Sequence, residues 1–260
     1  MYETISIDRD LRGVTTIWLD REEKRNAMSA QMITELHDAA EQLGAETDLR
    51  VVVLAARGSH FCAGGDLNWM REQFEADADT RREEAQKLAY MLRSLNTLPK
   101  PLIGRVHGDA FGGGVGLMSI CDTVIASEDV NFALTETRLG LIPATIGPYV
   151  AARMGEAKAR RVFMSGRKFG AQEAMTLDLV ARAVPAAAID AAIEEEIAPY
   201  LTCAPCAVGS AKALLRRLGP SIDDVQISET IDALVACWEG AEAQEGIAAF
   251  FEKRKPAWQK

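Results

Sequence analysis

The sequence predicts an α/β fold closed by a helical tail. Three observations carry this: strand-like and helix-like periods alternate up to Ala186, two apolar strands each run into a glycine-dense loop, and β signal stops beyond Ala186. Residues 4–8 and 14–19 alternate around Arg12-Gly13 and read as an opening hairpin. Ser29 then caps a helix whose apolar positions Met32, Ile33, Leu36, Ala40 and Leu43 keep helical spacing up to Gly44. Residues 51–54, Val-Val-Val-Leu, form a buried strand, with residues 57–60 as its exit loop. A charged helix over about residues 72–98 follows and stops at Pro99-Lys100-Pro101. Next come a strand over 102–106, a glycine-rich loop, a buried helix over 115–121, and strands over 123–126 and 130–133. Beyond Ala186, helices separated by Pro199, Pro205 and Gly219-Pro220 make residues 201–260 a helical region after a core spanning 1–200.

Composition narrows the function classes. With 48% hydrophobic and 26% charged residues, the chain is neither disordered nor a disulfide scaffold. The 29 Lys and Arg against 38 Asp and Glu leave a net charge of −9, which repels phosphate backbones and anionic lipid. No nucleic-acid or membrane partner is expected, and a phosphate-bearing ligand would need its own cluster of cations. No window approaches 18 uninterrupted apolar residues. Five cysteines without framework spacing, and an N-terminus without an export pattern, point to a reducing, cytoplasmic setting.

Two loops are rich in glycine just after a strand: residues 61–67, Phe-Cys-Ala-Gly-Gly-Asp-Leu, and residues 107–114, ending Gly112-Gly113-Gly114. Glycine lets the backbone take positive φ and lets a ligand approach the amides. Two such amides on one oxygen would form an oxyanion hole; otherwise these are two tight strand-to-helix turns. A dinucleotide site using Gly112, Gly114, Gly116 and Glu128 is a weaker rival, because the spacing is not G-x-G-x-x-G, and no Gly-Lys-Ser/Thr follows to make a P-loop. Cys203 and Cys206 have CxxC spacing but no second ligand pair, so no metal site is expected. His37 and His60 lack carboxylate partners in register, and His107, at the entrance of the triple-glycine loop, is expected to be satisfied by backbone. Trp69 and Met70 are candidates for a pocket wall or for core, and the charge run over 72–87 reads as a solvated face.

Lys24-Arg25-Asn26-Ala27-Met28, the 61–67 loop, Gly112-Gly113-Gly114 with Cys121-Asp122, and residues 135–143 closely resemble, in order and spacing, the crotonase superfamily of enoyl-CoA hydratases and isomerases. The ending, residues 246–256, looks like that family's C-terminus. The resemblance implies a crotonase spiral of ββα units, with C-terminal helices building a homotrimer or a dimer of trimers. It implies an acyl-CoA thioester as substrate, with coenzyme A part of that substrate and no separate cofactor. The N–H groups of Gly65 and Gly113 would hold the thioester oxygen and Glu136 would be the acid/base group. Lys24, Arg25, Ala63, Asp66, Leu67, Phe250 and Lys253 would line the coenzyme A site, with Lys24 and Arg25 near the phosphates. One departure matters: two-carboxylate hydratases of this family carry a second Glu where this chain has Gly116. The expected activity is hydration of an enoyl-CoA. Residues 66–70 and 140–144 are similar to hydratases of 3-methylglutaconyl-CoA. The alternatives are a double-bond isomerase using the single glutamate, and a silent acyl-CoA-binding protein.

Overall fold

The computed structural model describes residues 2–259. Strands β1 (Ile5–Arg9) and β2 (Val14–Leu19) form the antiparallel hairpin, and Ser29 caps helix α1 (Ala30–Ala45) through the Met32 amide. Strand pairs follow: β3 (Val51–Ala56) with β4 (His60–Cys62), β5 (Leu102–Val106) with β6 (Asp109–Phe111), and β7 (Thr123–Ser127) with β8 (Asn131–Ala133). The first strand of each pair joins a long sheet and the second joins a short one. With β9 (Phe169–Gly170) and β10 (Arg182–Val184) the orders are β1-β2-β3-β5-β7-β10 and β4-β6-β8-β9. Beyond the opening hairpin the long sheet is parallel, and only β8 and β9 pair antiparallel in the short one. This is the expected α/β spiral of ββα units.

The run Val51-Val52-Val53-Leu54 is apolar throughout because both faces of β3 are covered. Val52 and Leu54 point into the main core, while Val51, Val53 and Ala55 pack against helix α8 (Ile189–Leu201) through Ile193 and Ile197. Pro199, expected to separate helices, instead lies inside α8, two residues before its end.

Other boundaries also differ from expectation. The helix expected over residues 72–98 is two helices, α2 (Leu67–Glu75) and α3 (Ala78–Thr97), because the Asp66 and Asp77 side chains each cap a new start. The buried helix starts earlier than residue 115: α4 runs Gly113–Ser119, with Gly112 at its cap. His60 opens β4 instead of ending a loop. Helices α5 (Gly147–Met154), α6 (Glu156–Phe163) and α7 (Ala171–Thr176) cross back to the sheets, and α9 (Pro205–Leu218), α10 (Asp224–Trp238) and α11 (Ala241–Phe251) close the chain. Helix α10 packs on α3 through Ile227 and Ile231 against Ala85 and Ala89.

Candidate active site

The first glycine loop is held by residues 25–28. The buried Asn26 side chain accepts from the Arg21 amide at 2.9 Å and donates to the Arg57 and His60 carbonyls at 2.8 and 2.9 Å. Beside it the Ala63 amide donates to Arg25 O, Met28 to Gly64 O, and Asp66 to Met28 O. In such a ladder successive amides point to opposite sides, so pairing Met28 with Gly65 turns the Gly65 N–H away from residue 28. Among the described residues it meets no acceptor. Gly64 sits at φ 101°, where only glycine is unstrained.

The second loop supplies a matching donor. Gly112 adopts φ 49° and ψ −116°, and its own N–H donates to Ala133 O. Gly113 is then the first helical residue of α4, whose amide has no intrahelical partner and meets no other acceptor among the described residues. A Cβ on Gly114 would lie 2.7 Å from Cys62 O, so only glycine lets α4 rest on the backbone of β4. The loops converge: a Cβ on Gly112 would lie 3.9 Å from Gly64 Cα and 3.0 Å from Glu136 Oε1.

Glu136 opens a single turn of 3-10 helix, Glu136–Leu139. Its Oε2 is sealed from solvent and has no partner. Burial pushes the carboxyl up from its ordinary 4.5 to about 7, with only a backbone hydrogen bond opposing. Helix α11 of the same chain braces this turn. A Cβ on Gly140 would meet Glu242 O at 2.4 Å, and one on Gly246 would meet Leu139 O at 2.5 Å.

At Gly116 the space is filled. A Cβ there would lie 2.4 Å from Ile146 Cγ2, and Ile146 is itself buried. An apolar side chain therefore occupies the region into which a second carboxylate would reach. Nothing in the local sequence signals Ile146, which lies thirty residues on. Met28 is the other residue that sequence reasoning left without a role: its Cε would lie 1.9 Å from a Cβ on Gly113.

The structure brings Gly65, Gly113 and Glu136 together. Trp69 and Met70 lie against Gly65, within 3.8 Å of where its Cβ would be, and Trp69 Nε1 donates to Glu84 on α3. Lys24 and Arg25 are exposed on a 3-10 turn, and neither is in an ion pair among the described residues. Ala63 is half-buried and Leu67 exposed beside them. Asp66 is buried and its carboxylate is occupied: it accepts from the Asn68 and Trp69 amides and pairs with Arg21 at 3.1 Å. Burial opposes its ionisation, yet these partners hold its pKa below the usual carboxylate range. Phe250 and Lys253 are exposed at the end of α11, across the chain's C-terminal turn, whereas Arg254 is already held by Glu245 and Glu252. His107 Nε2 donates to Gly58 O at 2.7 Å, and Cys203 and Cys206 are free thiols. Among the described residues no His, Cys, Asp and Glu cluster could hold a metal ion, and no helix is long and apolar enough to cross a membrane.

Two unpaired amides thus stand near one carboxylate whose Oε2 is sealed from solvent, mounted on a two-sheet α/β enzyme scaffold. The chain belongs to the enoyl-CoA hydratase/isomerase family, whose model matches residues 9–260. It is 31% identical over 261 residues to the enoyl-CoA isomerase/hydratase fer4 of Mycosarcoma maydis, covering 95% of this chain and 93% of that one. An enoyl-CoA hydratase structure from Shewanella pealeana superposes with TM-score 0.82 at 37% identity, covering 99% of this chain and 97% of that one. One from Mycobacterium avium reaches 0.86 at 29% identity over the whole of both chains.

Proposed function

We propose that this enzyme hydrates an α,β-unsaturated acyl-CoA thioester with Glu136 as its acid/base group. The carrying observation is the Glu136 carboxyl near the Gly65 and Gly113 amides, its Oε2 sealed from solvent without a partner and its pKa raised to about 7. The thioester oxygen accepts from both N–H groups, which stabilise the enolate as charge moves onto it. A carboxyl with this pKa is present in both forms at neutral pH, so it can give a proton or take one. In hydration the neutral acid delivers a proton to Cα, water oxygen bonds to Cβ, and the carboxylate recovers a proton from that water.

A second reading, double-bond isomerisation, has its own support. Ile146 fills the space beside Gly116, which leaves one carboxylate to remove a proton from one carbon and return it to another. Supporting a branched or carboxylated acyl group such as 3-methylglutaconyl is the similarity of residues 66–70 and 140–144 to hydratases of that substrate. Lys24, Arg25 and Lys253 are free to meet coenzyme A phosphates, with Ala63, Leu67 and Phe250 beside them. Exposed Leu214 and Leu218 on α9 support residues 201–260 as the region that assembles a homotrimer or a dimer of trimers. Turnover against a panel of enoyl-CoA thioesters, including 3-methylglutaconyl-CoA, read by mass spectrometry, tests the proposal. A product heavier by one water supports hydration; an isomer of unchanged mass replaces it with isomerisation; no turnover would leave a silent acyl-CoA binder.

A further inference from the structure

A second cavity, of about 1040 Å³, opens between α9, α5 and the end of α3. It does not include Glu136, Gly65 or Gly113, and it touches Ser119 and Cys121 at the end of α4 opposite to Gly113. In a chain of net charge −9 it gathers Arg153, Lys212, Arg216 and Arg217 against one carboxylate, Asp122. That carboxylate is already committed. Its Oδ2 accepts from the Leu102 amide at 2.8 Å and from Lys212 at 2.7 Å, while Arg216 stands 3.6 Å from Oδ1. Arg153 is spent on the Asp122 carbonyl at 3.2 Å. Arg216 makes no hydrogen bond among the described residues beyond that loose ion pair, and burial holds it and Lys212 below their ordinary pKa.

Two polar atoms in the same wall are also unsatisfied. Tyr149 is 2% exposed and its hydroxyl has no partner; Asn96 is 3% exposed and its Oδ1 has none. Buried hydroxyls are rarely left so. Tyr149 and Arg216 both line this cavity. The rest of the lining is largely apolar, including Val208, Leu215 and Ile222.

We propose that this cavity binds an organic carboxylate with an apolar body, its head held by Arg216 and the Tyr149 hydroxyl and its body lying along Val208, Leu215 and Ile222. A planar guanidinium matches the two oxygens of a carboxylate, and the hydroxyl supplies a third donor. The apolar wall gains nothing from a bare inorganic ion but buries an aliphatic chain. The site is separate from the thioester centre, so both fill together.

Equilibrium dialysis of octanoate against the full chain, with and without saturating coenzyme A, tests this. Saturable binding of one octanoate per chain, unchanged by coenzyme A, is expected. Arg216→Gln should weaken it at least tenfold. Tyr149→Phe should weaken it several-fold without lowering the thermal midpoint, because that hydroxyl has no partner in the fold to lose. Displacement by coenzyme A would place octanoate in the thioester site and overturn the proposal. Inorganic phosphate binding as tightly as octanoate would reduce the cavity to a bare anion site, also overturning it. The proposal fails as well if no saturable binding occurs, including when a second copy of the chain covers the groove, or if both variants bind like wild type.

Discussion

Replacing Glu136 by Gln probes the centre through stability as well as turnover. In the folded chain the carboxyl titrates near 7; in the unfolded chain it returns to its ordinary 4.5. The folded state thus holds this proton more tightly, so Glu136 contributes stability that is fully present below pH 4.5. That contribution is lost as pH rises towards 7 and stays lost above it. The interval from 4.5 to about 7 corresponds to about 3 kcal/mol, at ~1.4 kcal/mol per pH unit. For a chain of this size each kcal/mol moves the midpoint by roughly 2–4 °C. Wild type should therefore lose roughly 6–12 °C between pH 4.5 and 8 relative to Glu136→Gln, with both at one protein concentration, since every other titrating group cancels in the difference. Circular dichroism melts across that range measure it. The same variant should retain affinity for a non-reactive acyl-CoA while turnover falls by ~10² to 10⁴, the usual worth of a positioned acid/base group. Parallel pH profiles of stability in the two proteins would refute the buried, unpaired carboxylate, and undiminished turnover would refute its role.

Gly113→Pro removes the proposed donor at a first helical position, where proline is tolerated, but any Cβ there meets Met28 Cε; made together with Met28→Ala, it should lower turnover by ~10² to 10³ relative to Met28→Ala alone, measured by steady-state kinetics. Gly116→Glu should overpack Ile146 and lower stability by about 1–3 kcal/mol, read by chemical denaturation. Adding Ile146→Ala to it gives the new carboxylate room and should raise hydration of crotonyl-CoA; equal rates with and without that change would show that Ile146 is not what excludes a second carboxylate. Asp66→Ala loses both the cap of α2 and the Arg21 pair, and should lower stability by about 1–2 kcal/mol in the same assay. Deleting the residues beyond Ala249 removes Phe250 and Lys253 and should weaken coenzyme A binding by calorimetry; unchanged affinity would exclude this tail from the site.

Local chemistry alone determined a good deal here. The uninterrupted Val51-Val52-Val53-Leu54 run marks a strand buried on both faces, Ser29 marks the start of α1, and two glycine clusters after strands mark the loops whose amides end without partners. Glu136, and the want of a second glutamate at Gly116, are legible in the sequence only through the family resemblance. The rest depends on contacts between residues far apart in the chain. Strands β4, β6 and β9 have only three, three and two residues, too few for a period-2 pattern, and exist because neighbouring backbones pair with them. Asp77 divides a run of charged residues that keeps one helical period across the break. Asp66 follows two glycines like a ligand-binding residue, yet folding gives its carboxylate to helix amides and Arg21. Ile146 meets Gly116, and α11 seals the turn of Glu136, only once the spiral has closed. Burial in that closed space raises the carboxyl's pKa, because the energy of a buried charge depends on which distant groups come to surround it.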